Sequence, residues 1–482
     1  GEGAARRKPC YARFAQVLLL SLLAVILLAL AAHLSSQRLR WTRVSGAPSM
    51  LAAAAPSFTI MIDSGSSGTR LKIFKQTGQQ VEPVKVEGGI EMDSLASYVD
   101  RLSEIKTDLA QMIEKSKSHV PADFQAQARL FMYATAGMRA LPPDDQHAVF
   151  SQCRSLLSDT GFSPYHFEDA RTMSGEMEAA FSYLSVNYLK TGFAPGAEMT
   201  GQIEMGGASL QVAFMPEEDV LDNSWTYMLF GQRHLIYAKS YMGYGQNIAR
   251  LKSQELVARR QSTAYPCFLK GYKEQIKVFK DTPDERTVEL EGSGNATGCL
   301  ELTRQLMHRE YECDLKPCAI AGRYMPKVSG NFVGISGLKF ALLNLKLDFK
   351  STTPGQLRTA VEEFCGQDFS QLGGETKFRK YECFLGSYVY NVLRALGFAD
   401  DSTALKFSGD YGWTLGAVVY EAFAQGSPEA RRLTDLPGVW SLPVMDHRCY
   451  WACRSMNRCA GLAPKLGHSC KQGCSSKCRA VL

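Results

Sequence analysis

The sequence predicts an α/β fold of two lobes related by duplication. Three observations carry this. From Phe58 onward, short apolar runs alternate with stretches of helical period. Two of the apolar runs end on a carboxylate followed by a small-residue turn, at Asp63 and at Glu204, 141 residues apart. The composition is 45% hydrophobic and 21% charged over 482 residues, which excludes a disordered chain or a collagen-like fibre and leaves room for two large units.

The chain starts with a different signal. Residues 14–32 form 19 uncharged, largely apolar positions. As a helix these would span about 28 Å, close to the hydrocarbon thickness of a bilayer. Arg6, Arg7, Lys8 and Arg13 precede the run, and Arg38, Arg40 and Arg43 follow it. A short basic N-terminal segment favours an N-terminus inside with the body translocated. A cleaved signal peptide is the competing reading, although its apolar core is ordinarily shorter, about 7–15 residues. The expected organisation is therefore a cytosolic segment (1–13), a transmembrane anchor (14–33) and a Ser/Ala/Arg-rich stem (34–56). The net charge of +6 sits at the ends, since residues 1–50 and 441–482 each carry seven Lys/Arg and one acid. That leaves −6 for residues 51–440, so nucleic acid is not an expected partner of the body.

In the body, residues 58–62 read as a buried strand ending at Asp63, and 71–74 as its hairpin partner. Leu95, Tyr98, Leu102, Ile105, Leu109 and Met112 recur at helical spacing, predicting one helix over 94–116. A strand at 130–133 precedes Ala134-Thr135-Ala136-Gly137, and helices follow near 143–158 and 174–190. Strands at 202–205 and 210–214 flank Gly206-Gly207, and a long polar helix is expected near 240–264. Strands and helices resume to Phe423. Lobe I is expected over 57–171, lobe II over 172–404, a return to lobe I over 405–440, and a Cys-rich basic tail over 441–482.

The two turns share a plan: Asp63-Ser64-Gly65-Ser66-Ser67-Gly68-Thr69-Arg70 and Glu204-Met205-Gly206-Gly207-Ala208-Ser209. Glycine lets backbone N–H groups approach a phosphate with no Cβ in the way, and hydroxyls add donors. A leading carboxylate can hold a hard divalent ion through its waters. Either turn alone is equally well a tight structural hairpin. The matched pair points to a nucleotide phosphate chain clamped between two copies. Neither is a Walker A loop, for no G-K-[ST] ending is present.

Five motifs occur in one order: DSGSSGTR at 63–70, ATAGMR at 134–139, GEMEAAFSYLSVNYL at 175–189, EMGGASLQ at 204–211 and GWTLGAVVYEA at 412–422. In this the chain resembles the apyrase family, the ecto-nucleoside triphosphate diphosphohydrolases. The resemblance covers about residues 57–425 and implies the two-lobed actin/Hsp70-like (ribonuclease H-like) fold. It further implies metal-dependent hydrolysis of the terminal phosphate of nucleoside tri- or diphosphates, with Ca2+ or Mg2+ as cofactor.

The resemblance also assigns roles. Glu178, nine residues before Asn187, is the base that activates water, whereas Glu176 falls out of that register. Without the motif, Glu178 would pass for a solvated acid at the positive end of a helix. Ser209 orients the water and Gln211 assists. Ser64, Gly65, Ser66, Ser67, Gly68 and Thr69 bind phosphate, as do Gly206, Gly207 and Ala208. Thr135 contacts phosphate or a metal-bound water, and Asp63 and Glu204 hold the metal's hydration shell. Trp413 lies either under the site or simply in the core, and Arg139 is expected to order its own loop. Three positions depart from the family pattern: Glu204 stands for Asp, Ala179 for Gly and Tyr183 for Trp. Two further readings stay open: an exopolyphosphatase or sugar-kinase relative on the same superfold, and a surface binding protein on a catalytically decayed scaffold.

Fourteen cysteines suit an exported chain. Resemblance and proximity pair Cys365 with Cys383, Cys313 with Cys318 and Cys267 with Cys299, leaving Cys153 as a buried free thiol on a helix face. Cys10 is a site for acylation or an inert thiol. Cys449, Cys453, Cys459, Cys470, Cys474 and Cys478 read as three disulfides, or as zinc ligands with His447 and His468. Such a stapled basic module suits an acidic glycan, an anionic lipid or a protein partner, or serves as an inert cap. Asn295-Ala296-Thr297 is a glycosylation sequon. The expected location is a single-pass membrane protein with its catalytic domain luminal or extracellular, in the Golgi or at the cell surface, or secreted if cleaved.

Overall fold

The computed structural model describes residues 55–424 except 281, 314, 374–378 and 410. The expected cytosolic segment, the anchor over 14–33, the stem up to 54, the chain beyond 424 and the six-cysteine tail lie outside the described residues. Among the described residues no helix is long and apolar enough to cross a membrane.

In lobe I, β1 (Ser57–Gly65) and β2 (Gly68–Thr77) form a hairpin, extended on the β2 side by β3 (Gln80–Val84) and the short β4 (Glu91–Met92). On the other side β5 (Arg129–Ala134) and β6 (His166–Thr172) add in parallel, giving the order β3–β2–β1–β5–β6. The alternation along β1 explains its unbroken apolar run. Phe58, Ile60 and Ile62 face an outer core shared with α1 (Ile105–Lys117) and α2 (Pro143–Leu157), while Met61 faces an inner one. A sheet covered on both faces needs no polar side.

The expected helix over 94–116 is broken. Leu95–Tyr98 and Leu102–Glu104 are single 3-10 turns before α1 begins. Arg101 leaves helical geometry (φ −143°, ψ 44°), and its guanidinium bonds Asp93, Ser97 and Glu104. The apolar period survives because Leu95 and Tyr98 are still buried.

α3 (Gly175–Thr191) leads into lobe II, whose sheet repeats the plan of lobe I. β7 (Gly201–Met205) and β8 (Ser209–Phe214) form the hairpin, and β10 (Gln232–Met242) extends it with β9 (Ser224–Leu229) beyond. β14 (Phe332–Ser336) and β15 (Leu405–Phe407) add in parallel on the β7 side. The order β10–β8–β7–β14–β15 thus mirrors β3–β2–β1–β5–β6, with β9 as an extra edge.

The polar helix expected over 240–264 is shorter. β10 stays paired to β8 through Met242, Gly243 turns the chain in the left-handed region (φ 82°), and α4 runs only over Gln246–Arg259. A small sheet of β11 (Ala264–Tyr265), β12 (Lys273–Val278) and β13 (Arg286–Gly292) follows. α5 (Ala296–Gln305), α6 (Gly337–Asn344), α7 (Pro354–Cys365) and α8 (Glu382–Ala395) pack residues into the outer core of lobe II. β15 pairs with β14, so Leu405–Phe407 completes the lobe II sheet and the return expected at 405 starts later. α9 (Trp413–Phe423) makes that return.

α3 and α9 share the inner core that lies between the two sheets. Met61, Phe131 and Tyr133 reach it from lobe I, and Ala213, Ile236 and Ala238 from lobe II. A Cβ on Gly416 of α9 would run into the Phe181 carbonyl and the Ser185 nitrogen of α3, so glycine sets the close approach of these two helices. The three disulfides form as expected, at Cys267–Cys299, Cys313–Cys318 and Cys365–Cys383. Cys153 is a buried free thiol, and burial pushes its pKa up to about 12, which makes it inert. Asn295 of the sequon is exposed and caps α5, accepting from the Gly298 nitrogen at 2.9 Å.

Candidate active site

The two carboxylate-led turns meet across the lobes. In the first, Gly65 pairs with Gly68, so Ser66-Ser67 form an exposed two-residue turn. In the second, the Gly206 nitrogen donates to the Ser209 carbonyl at 3.0 Å. The N-terminus of α4 takes up the loop's carbonyls: Gln246 donates to Gly206, and Asn247 and Ile248 donate to Gly207. A Cβ placed on Gly207 would lie 2.6 Å from Ser66 Oγ and 2.9 Å from Asn247 Nδ2. A side chain there would push the Ser66 hydroxyl and the Asn247 amide aside, so glycine keeps both in place at the point where the turns approach.

Not every hydroxyl of the first turn faces the cleft. Ser64 and Thr69 are buried; Thr69 Oγ1 donates to the Asp93 carbonyl (2.8 Å) and lies 2.9 Å from Ser64 Oγ, which accepts from the Leu95 nitrogen. The hydroxyls of these two residues brace the hairpin and do not face the cleft, which leaves their backbone groups for the expected hold on phosphate. Thr135 is likewise buried, with its nitrogen (2.9 Å) and its hydroxyl (3.4 Å) both directed at the Ser64 carbonyl. It ties the end of β5 to the turn. Ser66 and Ser67 are exposed at the tip of the first turn, and Ser66 lies against Gly207 of the second.

Glu178 sits in the first turn of α3. Ser174 caps that helix by accepting from the Met177 nitrogen at 3.1 Å. The Glu178 side chain is buried, not solvated. Its Oε2 accepts from Arg139 Nη2 at 2.5 Å and from Gln211 Nε2 at 3.2 Å. Gln211 Nε2 lies 2.6 Å from Ser209 Oγ and 3.1 Å from Ser240 Oγ, and Arg139 Nη2 lies 3.4 Å from Ser209 Oγ. Glu178, Ser209 and Gln211, placed together by the motifs, are therefore one hydrogen-bonded group. Arg139 does not merely order its own loop: it crosses from lobe I to hold Glu178. A Cβ on Gly175 would collide with the Arg139 guanidinium and the Ser240 hydroxyl, so that glycine clears the path.

The electrostatics favour a base near neutrality. Burial pushes the Glu178 carboxyl up to about 7; Arg139 pulls it down, while the charges of Glu204 and Asp63 push it further up. Asp63 is also raised, by burial first, against the pull of Lys72, Arg70 and a hydrogen bond from Trp413. Lys72 Nζ lies 3.8 Å from Asp63 Oδ2. Trp413 is thus both core and site: it is buried, stacks on Tyr133 at 6.3 Å between ring centroids, and its indole serves Asp63. Glu204 is raised, by burial first and also by the charge of Asp63, against the pull of the Ser182 and Ser336 hydroxyls and of the Lys72 charge. Its Oε1 accepts from Ser336 Oγ at 3.3 Å, and its buried Oε2 has no hydrogen-bond partner.

A family profile described as GDA1/CD39 (nucleoside phosphatase) matches residues 50–432. The chain belongs to the GDA1/CD39 nucleoside phosphatase family. It is 26% identical over 413 residues to ectonucleoside triphosphate diphosphohydrolase 1 of Mus musculus, covering 75% of this chain and 80% of that protein. It is 27% identical over 406 residues to probable apyrase 3 of Arabidopsis thaliana, covering 77% and 83%. Among solved structures, a nucleoside triphosphate hydrolase of Neospora caninum superposes with a TM-score of 0.63 at 13% identity, over 84% of this chain and 98% of that one, which shows the shared fold. As a member of this family the protein is an enzyme that hydrolyses nucleoside phosphates, and membership implies dependence on a divalent cation in general.

The residues fit such an ion. Glu204 Oε2 is a buried carboxylate oxygen without a partner, and Asp63 stands at the equivalent strand end of the other lobe. Among the described residues no three His, Cys, Asp or Glu side chains converge to ligate an ion directly. Two carboxylates suit an ion that keeps most of its waters and takes its other oxygens from substrate phosphates.

Sequence reasoning missed Ser336, Asn247 and Ser240, and confined Arg139 to its own loop. Arg139 carried a signal, since a lone cation in the ATAGMR motif beside two phosphate turns has an obvious use. The other three lie in stretches without a phosphate-loop pattern.

Proposed function

We propose that the protein removes the terminal phosphate of nucleoside tri- and diphosphates by direct attack of water. The observation that carries this is the Glu178–Gln211–Ser209 group, set at the mouth of two facing glycine turns. A water between the Glu178 carboxylate and the Ser209 hydroxyl attacks the terminal phosphorus. Its proton passes to Glu178, the bond from phosphorus to the bridging oxygen breaks, and inorganic phosphate leaves with a nucleotide shorter by one phosphate. Ser66, Ser67 and the turn N–H groups hold the phosphate oxygens. Gln211 fixes the carboxylate and hydroxyl relative to each other, and Arg139 keeps Glu178 ionised near neutral pH. Asp63 and Glu204 would hold Mg2+ or Ca2+ through its waters, and the ion would neutralise phosphate charge when bound. The names of the mouse and Arabidopsis relatives support both the reaction and the substrate class.

A luminal or extracellular place for this chemistry is part of the proposal. Three disulfides within the body support it, since such bonds persist in oxidising compartments. Anchoring by residues 14–33 and capture of an acidic partner by the tail belong to the same proposal.

The test is phosphate release from a panel of nucleoside tri- and diphosphates with Mg2+, Ca2+ or EDTA. The wild type is expected to release phosphate only with the metal, and Glu178→Gln to lose roughly 100-fold or more in turnover, the scale general-base catalysis supplies. Undiminished metal-dependent turnover in that folded variant would overturn the assignment.

A further inference from the structure

Ser336 closes β14 and opens α6 at a corner with φ 57° and ψ −120°. A non-glycine residue in the left-handed half of backbone space is strained, and such strain persists only where the surroundings enforce it. Here they do. β14 lies parallel to β7, with Ile335 opposite Glu204 and Ser336 opposite Met205. The next residue is pressed equally hard: a Cβ on Gly337 would lie 2.9 Å from the Met205 carbonyl oxygen. The corner is therefore seated on the strand end that starts the second phosphate turn. Its side chain projects to the carboxylate there, Ser336 Oγ to Glu204 Oε1, 3.3 Å.

We propose that Ser336 is a positioning residue for Glu204. It fixes one carboxylate oxygen so that the other, Oε2, is presented to the hydration shell of a divalent cation. This rests on the reading that Glu204 serves the metal. Glutamate has one side-chain torsion more than aspartate, so a Glu204 carboxylate held only at its Cα would sample more directions. A hydroxyl on a rigid strand-to-helix corner removes that freedom. The two oxygens of Glu204 then differ in the way the proposal requires: Oε1 accepts from Ser336, and Oε2 is buried with no hydrogen bond of full geometry, the Ser182 hydroxyl being the other side chain beside the carboxylate. The counterpart strand end in lobe I, β5, also gives a hydroxyl to its turn through Thr135, but to the backbone carbonyl of Ser64 and not to Asp63. The side-chain contact is peculiar to the lobe whose leading carboxylate is the longer residue.

The experiment is a titration of Mg2+ and of Ca2+ alone, read as the rise in melting temperature of the protein without nucleotide, alongside metal-dependent turnover. Ser336→Ala keeps a side chain at the corner and removes the hydroxyl. Ser336→Gly removes the hydroxyl and also relieves the strain. Both are expected to need several-fold more metal for half of the full thermal shift and for half-activation. Without metal, Ser336→Gly should melt at or above the wild type, so weakened metal binding in it cannot come from a damaged fold. Glu204→Asp shortens the side chain out of reach of Ser336, so adding Ser336→Ala to it should change the metal requirement no further. Wild-type metal curves in both single variants, or a full Ser336→Ala effect in the Glu204→Asp background, would overturn the proposal. Glu204→Gln checks the underlying reading separately: if it keeps the wild-type metal shift, Glu204 does not serve the metal at all.

Discussion

Arg139, at the end of a lobe I motif, donates to the carboxylate of Glu178 on α3 across 2.5 Å, and the same nitrogen lies 3.4 Å from Ser209 Oγ. The ion pair couples the lobe that carries the first phosphate turn to the residue proposed to take the water's proton. It opposes the burial and the neighbouring carboxylates that lift Glu178, leaving that carboxyl at about 7. Glu178 acts as a base only when ionised, so turnover should rise with pH through that region. Removing the cation in Arg139→Ala leaves only the Gln211 hydrogen bond to oppose burial and the neighbouring carboxylates. The acid limb of the kcat profile should then move to higher pH by about 1–3 units, the range an adjacent opposite charge ordinarily supplies. Arg139→Lys should restore part of the shift. A pH profile of phosphate release at saturating substrate checks this, and an unmoved acid limb in Arg139→Ala would show that the pair has no part in setting the base.

The clearance that admits Arg139 is itself open to test. Gly175→Ala places a methyl where the guanidinium and the Ser240 hydroxyl now lie. The guanidinium can swing away, but the methyl would also run into Ser240 Cβ, which only a local backbone shift between α3 and β10 relieves, so a lower melting temperature is expected together with Arg139 pushed off Glu178. Activity is expected to fall about tenfold or more at pH 7, mostly in kcat, and to recover at higher pH as Glu178 ionises without its partner. An unchanged pH profile with a lower melting temperature would mean that Gly175 matters only for packing.

These two residues mark how far the sequence alone could be followed. The motif order placed Glu178, Ser209 and Gln211 in one group because each motif lies at the end of an element whose apolar pattern is plain. β1 and β7 read as strands since both sheets are covered on both faces. The twofold plan was legible from Asp63 and Glu204. Arg139 was misjudged because its partner is not local: Glu178 lies 39 residues on, brought back by β6 and α3. Ser336 was invisible for a related reason: its meaning depends on β14 lying beside β7, 132 residues away in contact with Glu204, and no local pattern announces that neighbour. The helix breaks at Arg101 and Gly243 were missed because side-chain periodicity continued, or polar composition persisted, across a change in backbone geometry.

Trp413 offers a separation of packing from chemistry. Its ring stacks on Tyr133 and its indole hydrogen-bonds Asp63. Trp413→Phe keeps an aromatic ring over Tyr133 and removes the donor. The lost bond to a charged group is worth about 1.5–3 kcal/mol at most. The variant is expected to remain folded, with a modestly lower melting temperature. It should need several-fold more metal for half-activation, because the Asp63 carboxylate loses one of the groups that keep it ionised and oriented. A lower melting temperature with an unchanged metal requirement would confine Trp413 to the core.

Glu382 tests the cost of a buried carboxyl that is not hydrogen-bonded to Glu178, Ser209 or Gln211. It lies at the start of α8, almost fully buried, with Oε2 accepting from Asn344 Nδ2 at 2.7 Å and Oε1 without a partner. Burial drives its carboxyl well above the ordinary 4.5, and the Asn344 bond and the Arg379 charge only partly offset this. A raised folded value means that the native state keeps a proton which the unfolded chain gives up. The cost is absent below about pH 4.5 and grows as pH rises toward the folded value, at about 1.4 kcal/mol per pH unit while the native group stays protonated. Glu382→Gln is neutral at every pH and can still accept from Asn344. It should therefore match the wild type in melting temperature near pH 4.5 and exceed it increasingly toward pH 7.5, with activity unchanged. Because Asp63, Glu178 and Glu204 titrate in both proteins, the difference between the two melting curves isolates Glu382. A difference that stays flat across that range would mean Glu382 is ionised in the folded protein, with a cation or water reaching Oε1.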